Sequence, residues 1–335
     1  MKEIPLKTDL KTECLTGIIA GLLDLTAKRL SDDVFRRLKE MRTNSANAYA
    51  FAEYAETACA NTAYSETTCA NTAPQNGERE TERRIYDAMF TNLEMAAGLS
   101  RPCCQDTGVV QFFVEAGTDF PYLAELPFCL REAVIRATDS VPLRPNVVEC
   151  FDEKNTGNNT GKRIPWIDWE LIPYSDAIRL YVYLAGGGCS LPGFARVFMP
   201  IGGYEKALKA IVDQIVSLGP NACPPLIAGI GFAGQADAAA RLSKKALLRF
   251  IGTKNTNPKG AELEDQLLKT LNSLGMGPAG FAGNNYLMAV HIEEAGRHTA
   301  SLAAALSVGC WVHRRSLAEI RADLSYEILS HKGIL

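Results

Sequence analysis

Two cysteines stand side by side in RPCCQDTG (residues 101–108), directly ahead of a Gln-Asp-Thr-Gly turn. Adjacent side chains point different ways in an extended or turning backbone, so Cys103 and Cys104 do not readily serve one metal or one substrate atom together. Two other cysteines have comparable settings, Cys223 in NACPP and Cys310 in SVGCWVHRR. Cys104, Cys223 and Cys310 each sit at the edge of an expected strand beside turn residues, where a side chain can meet others in a cleft. They lie 119 and 87 residues apart and no C-x-x-C is present, so spacing leaves both three-thiolate metal binding and plain structural thiols open.

Four histidines, His291, His298, His313 and His331, are too few and too scattered for a zinc site of ordinary spacing. His291 falls in an apolar strand and reads as structural. His298, in EEAGRHTAS, follows an arginine in an expected loop, where it is either simply solvated or an acid, base or hydrogen-bond donor near neutral pH.

Glycine-rich stretches offer a different chemistry. LAGGGCSLPG (184–193) puts three glycines after a strand, where bare N–H groups can approach an anion such as a small dicarboxylate, or where the chain merely turns sharply. GIGFAG (229–234) matches G-x-G-x-x-G between an apolar strand and a helix. No acidic strand end follows some twenty residues on, where the chain reads GTKNTNPKG, so the motif is read as a tight turn and not a dinucleotide site. GMGPAG (275–280) follows a helix and is read the same way.

The elements that must position these residues follow from periodicity. SDDVFRRLKEM and RRIYDAMFTNLEMAAG carry apolar residues at helical spacing. From residue 108 strands alternate with helices: GVVQFFVEAG, WIDWELIP, AIRLYVYLA, PPLIAGIG, NYLMAVHIE and ALSVGCWVH read as strands. LAELPFCLREAVIRATDS, YEKALKAIVDQIVSLG, ADAAARLSKKALLRF and GAELEDQLLKTLNSLG read as helices. The expected fold class is α+β, sheets flanked by helices around one extended core, in a single domain over 1–335. Residues about 44–80 hold few large apolar side chains and repeat ETACANTA as ETTCANTA, so they are expected to be a flexible insertion; Cys59 and Cys69 there lack metal-type spacing.

Composition narrows the partners. The 335 residues are 47% apolar, with 35 basic and 38 acidic side chains spread along the chain, which speaks against nucleic acid. The charged start MKEIPLKTDLKTE and the lack of a span-length apolar run speak against a signal peptide and a membrane segment, so a cytoplasmic protein with mostly reduced thiols is expected.

Seven stretches, RPCCQDTG, NTGNNTG (155–161), AGGGCSLPG, NACPP, GMGPAGFAGN, HIEEAGRH and GCWVHRR, occur in that order and together resemble the family of class I fumarases and α-type tartrate dehydratases, iron–sulfur hydro-lyases. The likeness spans roughly residues 15–335 apart from the insertion. It implies the fold of the class I fumarase N-terminal domain and a [4Fe-4S] cluster with three cysteine ligands, here Cys104, Cys223 and Cys310, and one open iron acting as Lewis acid. It implies further that Gln105 and Asp106 adjoin the substrate, with Asp106 in an acid/base role or supporting the base. Arg144, in VPLRPN, would pair with a substrate carboxylate through its planar fork, the turn at Gly187 would contact substrate through backbone, and His298 would hydrogen-bond it.

In class I fumarases the remaining residues, among them the proposed proton-abstracting group, belong to a C-terminal domain, which is expected to be missing from this chain. The resemblance therefore implies a separate β subunit in an α2β2 heterotetramer. It implies dehydration of L(+)-tartrate to oxaloacetate and water, the alternative being the α subunit of a two-subunit fumarase interconverting malate and fumarate.

Overall fold

A computed structural model describes residues 9–45, 76–201 and 203–333. Most of the expected insertion, with Cys59 and Cys69, lies outside the described residues; its last residues, 76–80, open a long helix. In chain order the elements are α1 (Leu10–Lys28), α2 (helical over 32–45), α3 (Asn76–Leu99), β1 (Val109–Gly117), α4 (Leu126–Ser140), β2 (Trp166–Ile172), β3 (Ile178–Ala185) and the short α5 (Gly187–Ser190). There follow β4 (Phe194–Phe198), α6 (Glu205–Leu218), β5 (Leu226–Ala233), α7 (Ala236–Leu248), α8 (Pro258–Asn272), β6 (Leu287–Glu294), β7 (Leu302–Gly309), β8 (Arg315–Ile320) and β9 (Tyr326–Ile328). The chain is thus an α+β protein, as its alternating patterns require.

Two compact units divide the chain, and among the described residues a large apolar cluster lies in each. The first unit comprises 1–32, 92–187 and 312–335. Its five-stranded sheet has the order β2-β1-β3-β8-β9. Helices α1 and α4 cover it with Leu15, Ile19, Leu22, Leu23, Leu130 and Val134, all at most 1% exposed, against Phe112, Val114, Leu180 and Val182. Helix α1 starts where Asp9 accepts the Thr12 N–H through its side chain, closing one of the orphan donors of the first turn.

Register in this sheet decides where the motifs go. Antiparallel pairing sets Val109 opposite Ala185 and Tyr183 opposite Arg315. The end of RPCCQDTG, the start of AGGGCSLPG and the HRR of GCWVHRR therefore meet at one end of one sheet, although they are up to two hundred residues apart in sequence. Gly108 makes the junction possible. Its φ is +80°, and a β-carbon there would lie 2.9 Å from the carbonyl of Ala185.

The second unit comprises 33–91 and 188–311. Its sheet has the order β4-β7-β5-β6, with β5 fully buried and parallel to β6 but antiparallel to β7. Here the glycines of GIGFAG show their use. A β-carbon at Gly231 would stand 2.0 Å from the carbonyl oxygen of Ala239 in α7, so the bare backbone lets that helix lie directly on β5. Residues 229–233 of the motif thus belong to β5 and not to the tight turn expected, because the bare backbone is used for helix–strand packing.

ALSVGCWVH was expected to be one strand, but β7 starts earlier and stops at Gly309. The reason is local: the N–H of Trp311 turns out of the ladder to the carbonyl of Cys223, 3.2 Å away. Five of these elements had no counterpart in the sequence reading: α1, α5, β4, β8 and β9.

Candidate active site

The loop before β1 separates the two adjacent cysteines. Cys103 is 2% exposed: its N–H donates to the carbonyl of Ala27, its thiol to that of Lys28 at 2.9 Å, and its own carbonyl accepts from Asn92. Burial pushes this thiol up to about 11, against a weaker opposing pull from the Arg314 guanidinium, so it stays a neutral donor at physiological pH. Cys104 is half-buried and Gln105 is exposed.

Asp106 is the hub of the first unit's end. Its Oδ1 accepts from the Gly108 N–H at 3.0 Å and the Asn146 side-chain amide at 3.1 Å, and its Oδ2 accepts from the Gly187 N–H at 2.7 Å. The Gly187 N–H that could have faced an anion is thus held by Asp106, and a carboxylate keeps the glycine turn in place.

Arg144 joins the same group through its backbone. Its N–H donates to the hydroxyl of Thr107 at 3.0 Å, and its carbonyl accepts from the Asn159 side chain at 3.1 Å. Asn159 is 1% exposed with φ +58°, and it also accepts from the Asn146 N–H at 2.8 Å. The NTGNNTG stretch is therefore a clamp: it fixes VPLRPN beside Asp106 while the Arg144 side chain remains exposed. Asn146 and Asn159 were missed by sequence reasoning, although the repeated Asn-Thr-Gly was a signal for side chains that bond backbone.

In the second unit Cys223 is exposed and left-handed, φ +56°, at the end of the 3-10 turn Gly219–Ala222. An L-residue in that conformation is strained by roughly 1–2 kcal/mol, a cost usually retained where a side chain must be aimed. The bond from Trp311 and the pairing of Ile227 with Gly309 set Cys310 next to it in the chain path. GMGPAG supports the same loop, since the Ala279 N–H donates to the carbonyl of Pro224.

His298 is elsewhere. It follows β6, whose Glu294 pairs with Phe232 at the far end of β5, and Ser301 donates to the carbonyl of Gly234 beside it. Eight residues of β5 separate that end from the one bearing Cys223 and Cys310, about 25 Å at strand rise. The Ala300 N–H donates to His298 Nδ1 at 3.1 Å, so the neutral ring carries its proton on Nε2 and presents it as a donor. Gln235, Asp237 and Ser301 line a cavity of about 520 Å³ with it.

No disulfide joins the eight cysteines among the described residues, and no three His, Cys, Asp or Glu side chains among them are gathered as a single-ion site. A four-iron cluster asks something else of its ligands, because each thiolate binds its own iron. Thiols outside disulfides are the donor chemistry such a group takes, and within the second unit the Trp311–Cys223 bond holds the segment after Cys310 to Cys223.

The fold is α+β with Asp106 at the hub of its loop cluster, and comparison with known proteins makes the class a hydro-lyase. A family model described as fumarate hydratase (Fumerase) matches residues 48–319. Relatives named L(+)-tartrate dehydratase subunit alpha, from Escherichia coli strains UTI89 and K12 and from Shigella boydii serotype 4, are each 44% identical over 317 residues, covering 95% of this chain and 94% of theirs. The chain belongs to the fumarate hydratase family.

Proposed function

We propose that the chain is the α subunit of an iron–sulfur hydro-lyase that removes water from L(+)-tartrate to give oxaloacetate. The observation that carries the reading furthest is the hydrogen-bonded chain Asn159–Asn146–Asp106–Gly187, which assembles Gln105, Asp106 and Arg144 on one sheet end in a chain 44% identical to tartrate dehydratase α subunits. Cys104, Cys223 and Cys310 would hold the [4Fe-4S] cluster, and both units would serve one catalytic domain. When bound, such a cluster with three protein ligands supplies an iron with an open coordination site, a Lewis acid for the leaving hydroxyl.

The chain's own residues do the rest. Arg144 pairs its exposed fork with one substrate carboxylate, and Gln105 hydrogen-bonds the bound dicarboxylate. Dehydration breaks the C2–O bond and removes the proton on C3; the resulting enol tautomerises to oxaloacetate. With three N–H groups already on its carboxylate, Asp106 keeps one lone-pair direction on Oδ2 and supports the base, which a separate β subunit contributes in an α2β2 assembly. His298 donates from Nε2 to substrate. Because it sits at the end of β5 away from Cys223, we assign it to the site of the neighbouring α chain within that assembly.

Among the described residues no helix is long and apolar enough to cross a membrane, and the eight undisulfided cysteines suit a cytoplasmic enzyme. The test is anaerobic co-purification with the β subunit followed by assay of oxaloacetate formed from L-tartrate. A tenfold higher kcat/KM for malate would instead support the reading as a two-subunit fumarase, which rests on the shared family.

A further inference from the structure

Arg314, the first arginine of HRR, is 2% exposed, and nothing assigned so far uses it. Its Nη1 donates to the main-chain carbonyl of Asp106 at 2.6 Å, and its Nε finds no acceptor among the described residues. No carboxylate forms an ion pair with it among those residues. A buried guanidinium that gives up water for one carbonyl is costly, so an apolar filler of the same volume would be more favourable there.

Its surroundings indicate what the cost is spent on. The backbone of Arg314 is fixed at the sheet end, its carbonyl accepting from the Leu184 N–H at 3.1 Å one residue before Arg315 pairs with Tyr183. Its Nη2 and Asp106 Oδ2 flank the bare backbone of Gly186, lying 3.6 and 3.1 Å from the place a β-carbon would occupy. One guanidinium thus grips the peptide of Asp106 from behind, while the Asp106 side chain grips Gly187 in front. The peptide so held joins Asp106 to Thr107, directly after Gln105 and two residues after Cys104.

We infer that Arg314 is a positioning residue of the reaction: through the carbonyl of Asp106 it fixes the loop that carries Cys104, Gln105 and Asp106 and, through Asp106, the Gly187 turn. This rests on the proposed hydro-lyase function for its catalytic consequence but not for its structural one. The planar fork is needed because a bond to a carbonyl on one arm and contact with Gly186 on the other define an angle, which a point charge does not.

The test compares wild type, R314M and R314K in the anaerobically assembled enzyme, by amide hydrogen exchange and by kinetics with L-tartrate. Expected for R314M is exchange at the Gly108 and Gly187 amides at least about tenfold faster, with kcat down on the order of a hundredfold and KM changed much less, since misplacement by about 1 Å costs that much. R314K, which keeps charge without the fork, should fall between, and it decides the question if R314M does not fold. Exchange and kcat within twofold of wild type in the folded variant would overturn the inference. Absence of turnover by the wild-type assembly would sink the functional reading alone, leaving the two amides to judge Arg314.

Discussion

Asp106 Oδ2 accepts the backbone N–H of Gly187 at 2.7 Å, tying a loop that precedes the first strand of a sheet to a glycine turn that follows the third. The contact converts two separate sequence motifs into one piece of machinery. It predicts that D106N is worse than loss of a charge alone. The new NH2 must face one of three N–H donors, leaving a donor unsatisfied at a cost of about 1–3 kcal/mol. Denaturant unfolding should show that loss, and activity should fall at least about a hundredfold; a D106N enzyme of wild-type stability would count against the hub.

The adjacent cysteines should separate cleanly. C104S is expected to abolish the absorbance and paramagnetic signal of a reconstituted cluster, whereas C103S keeps both. The opposite result would exchange their roles.

Cys103 also carries a pH signature. Its folded pKa of about 11 lies above the ordinary 9.0, so the thiol's stability contribution is intact below pH 9 and is lost as pH rises through 11, because the unfolded chain releases the proton first. At about 1.4 kcal/mol per unit the loss is about 3 kcal/mol. Wild type and C103A, compared by urea midpoints from pH 8 to 11, should converge as pH rises; a constant difference would refute the assignment.

The position of His298 predicts complementation between chains. H298A and C223S α chains, each inactive when purified with β subunit, should recover activity when co-expressed, since the mixed dimer holds one site with both residues intact. No recovery, with mixed dimers shown to form, would return His298 to its own chain's chemistry or remove it from the reaction.

Gly231→Ala should destabilise the second unit by about 3 kcal/mol or more, because its β-carbon would lie 2.0 Å from the Ala239 carbonyl oxygen and 2.6 Å from the Ser243 backbone nitrogen. Calorimetry should find no NAD binding to the wild type. Tight NAD binding would revive the dinucleotide reading of GIGFAG.

Much of this was legible in the sequence because strong patterns stayed local. PPLIAGIG is apolar throughout and became the fully buried β5; YEKALKAIVDQIVSLG has helical spacing and became α6. The helix α1 was not read, although Leu15, Ile19 and Leu22 are spaced for it, since threonines fill much of the rest of its buried face. β8 begins with the buried Arg315, and β4 is a five-residue edge strand with three exposed positions, so neither shows an apolar run. At the site, the residue types were readable, and their connections were not. Asn146 on Asp106 and Arg314 on the Asp106 carbonyl join positions 40 and 208 residues apart, which only strand register brings together. The same register sends His298 to the end of its sheet opposite Cys223, a separation that motif order could not reveal.

On the proposed function, three thiolates of this chain hold a cluster whose open iron meets a hydroxy acid. Paramagnetic resonance of the reduced, anaerobically assembled enzyme tests it directly, recorded with and without L-tartrate. A cluster signal that shifts on adding L-tartrate, and is absent from C104S, C223S and C310S, is the predicted result. A signal indifferent to tartrate, or one that survives removal of any of those three thiols, would contradict the account.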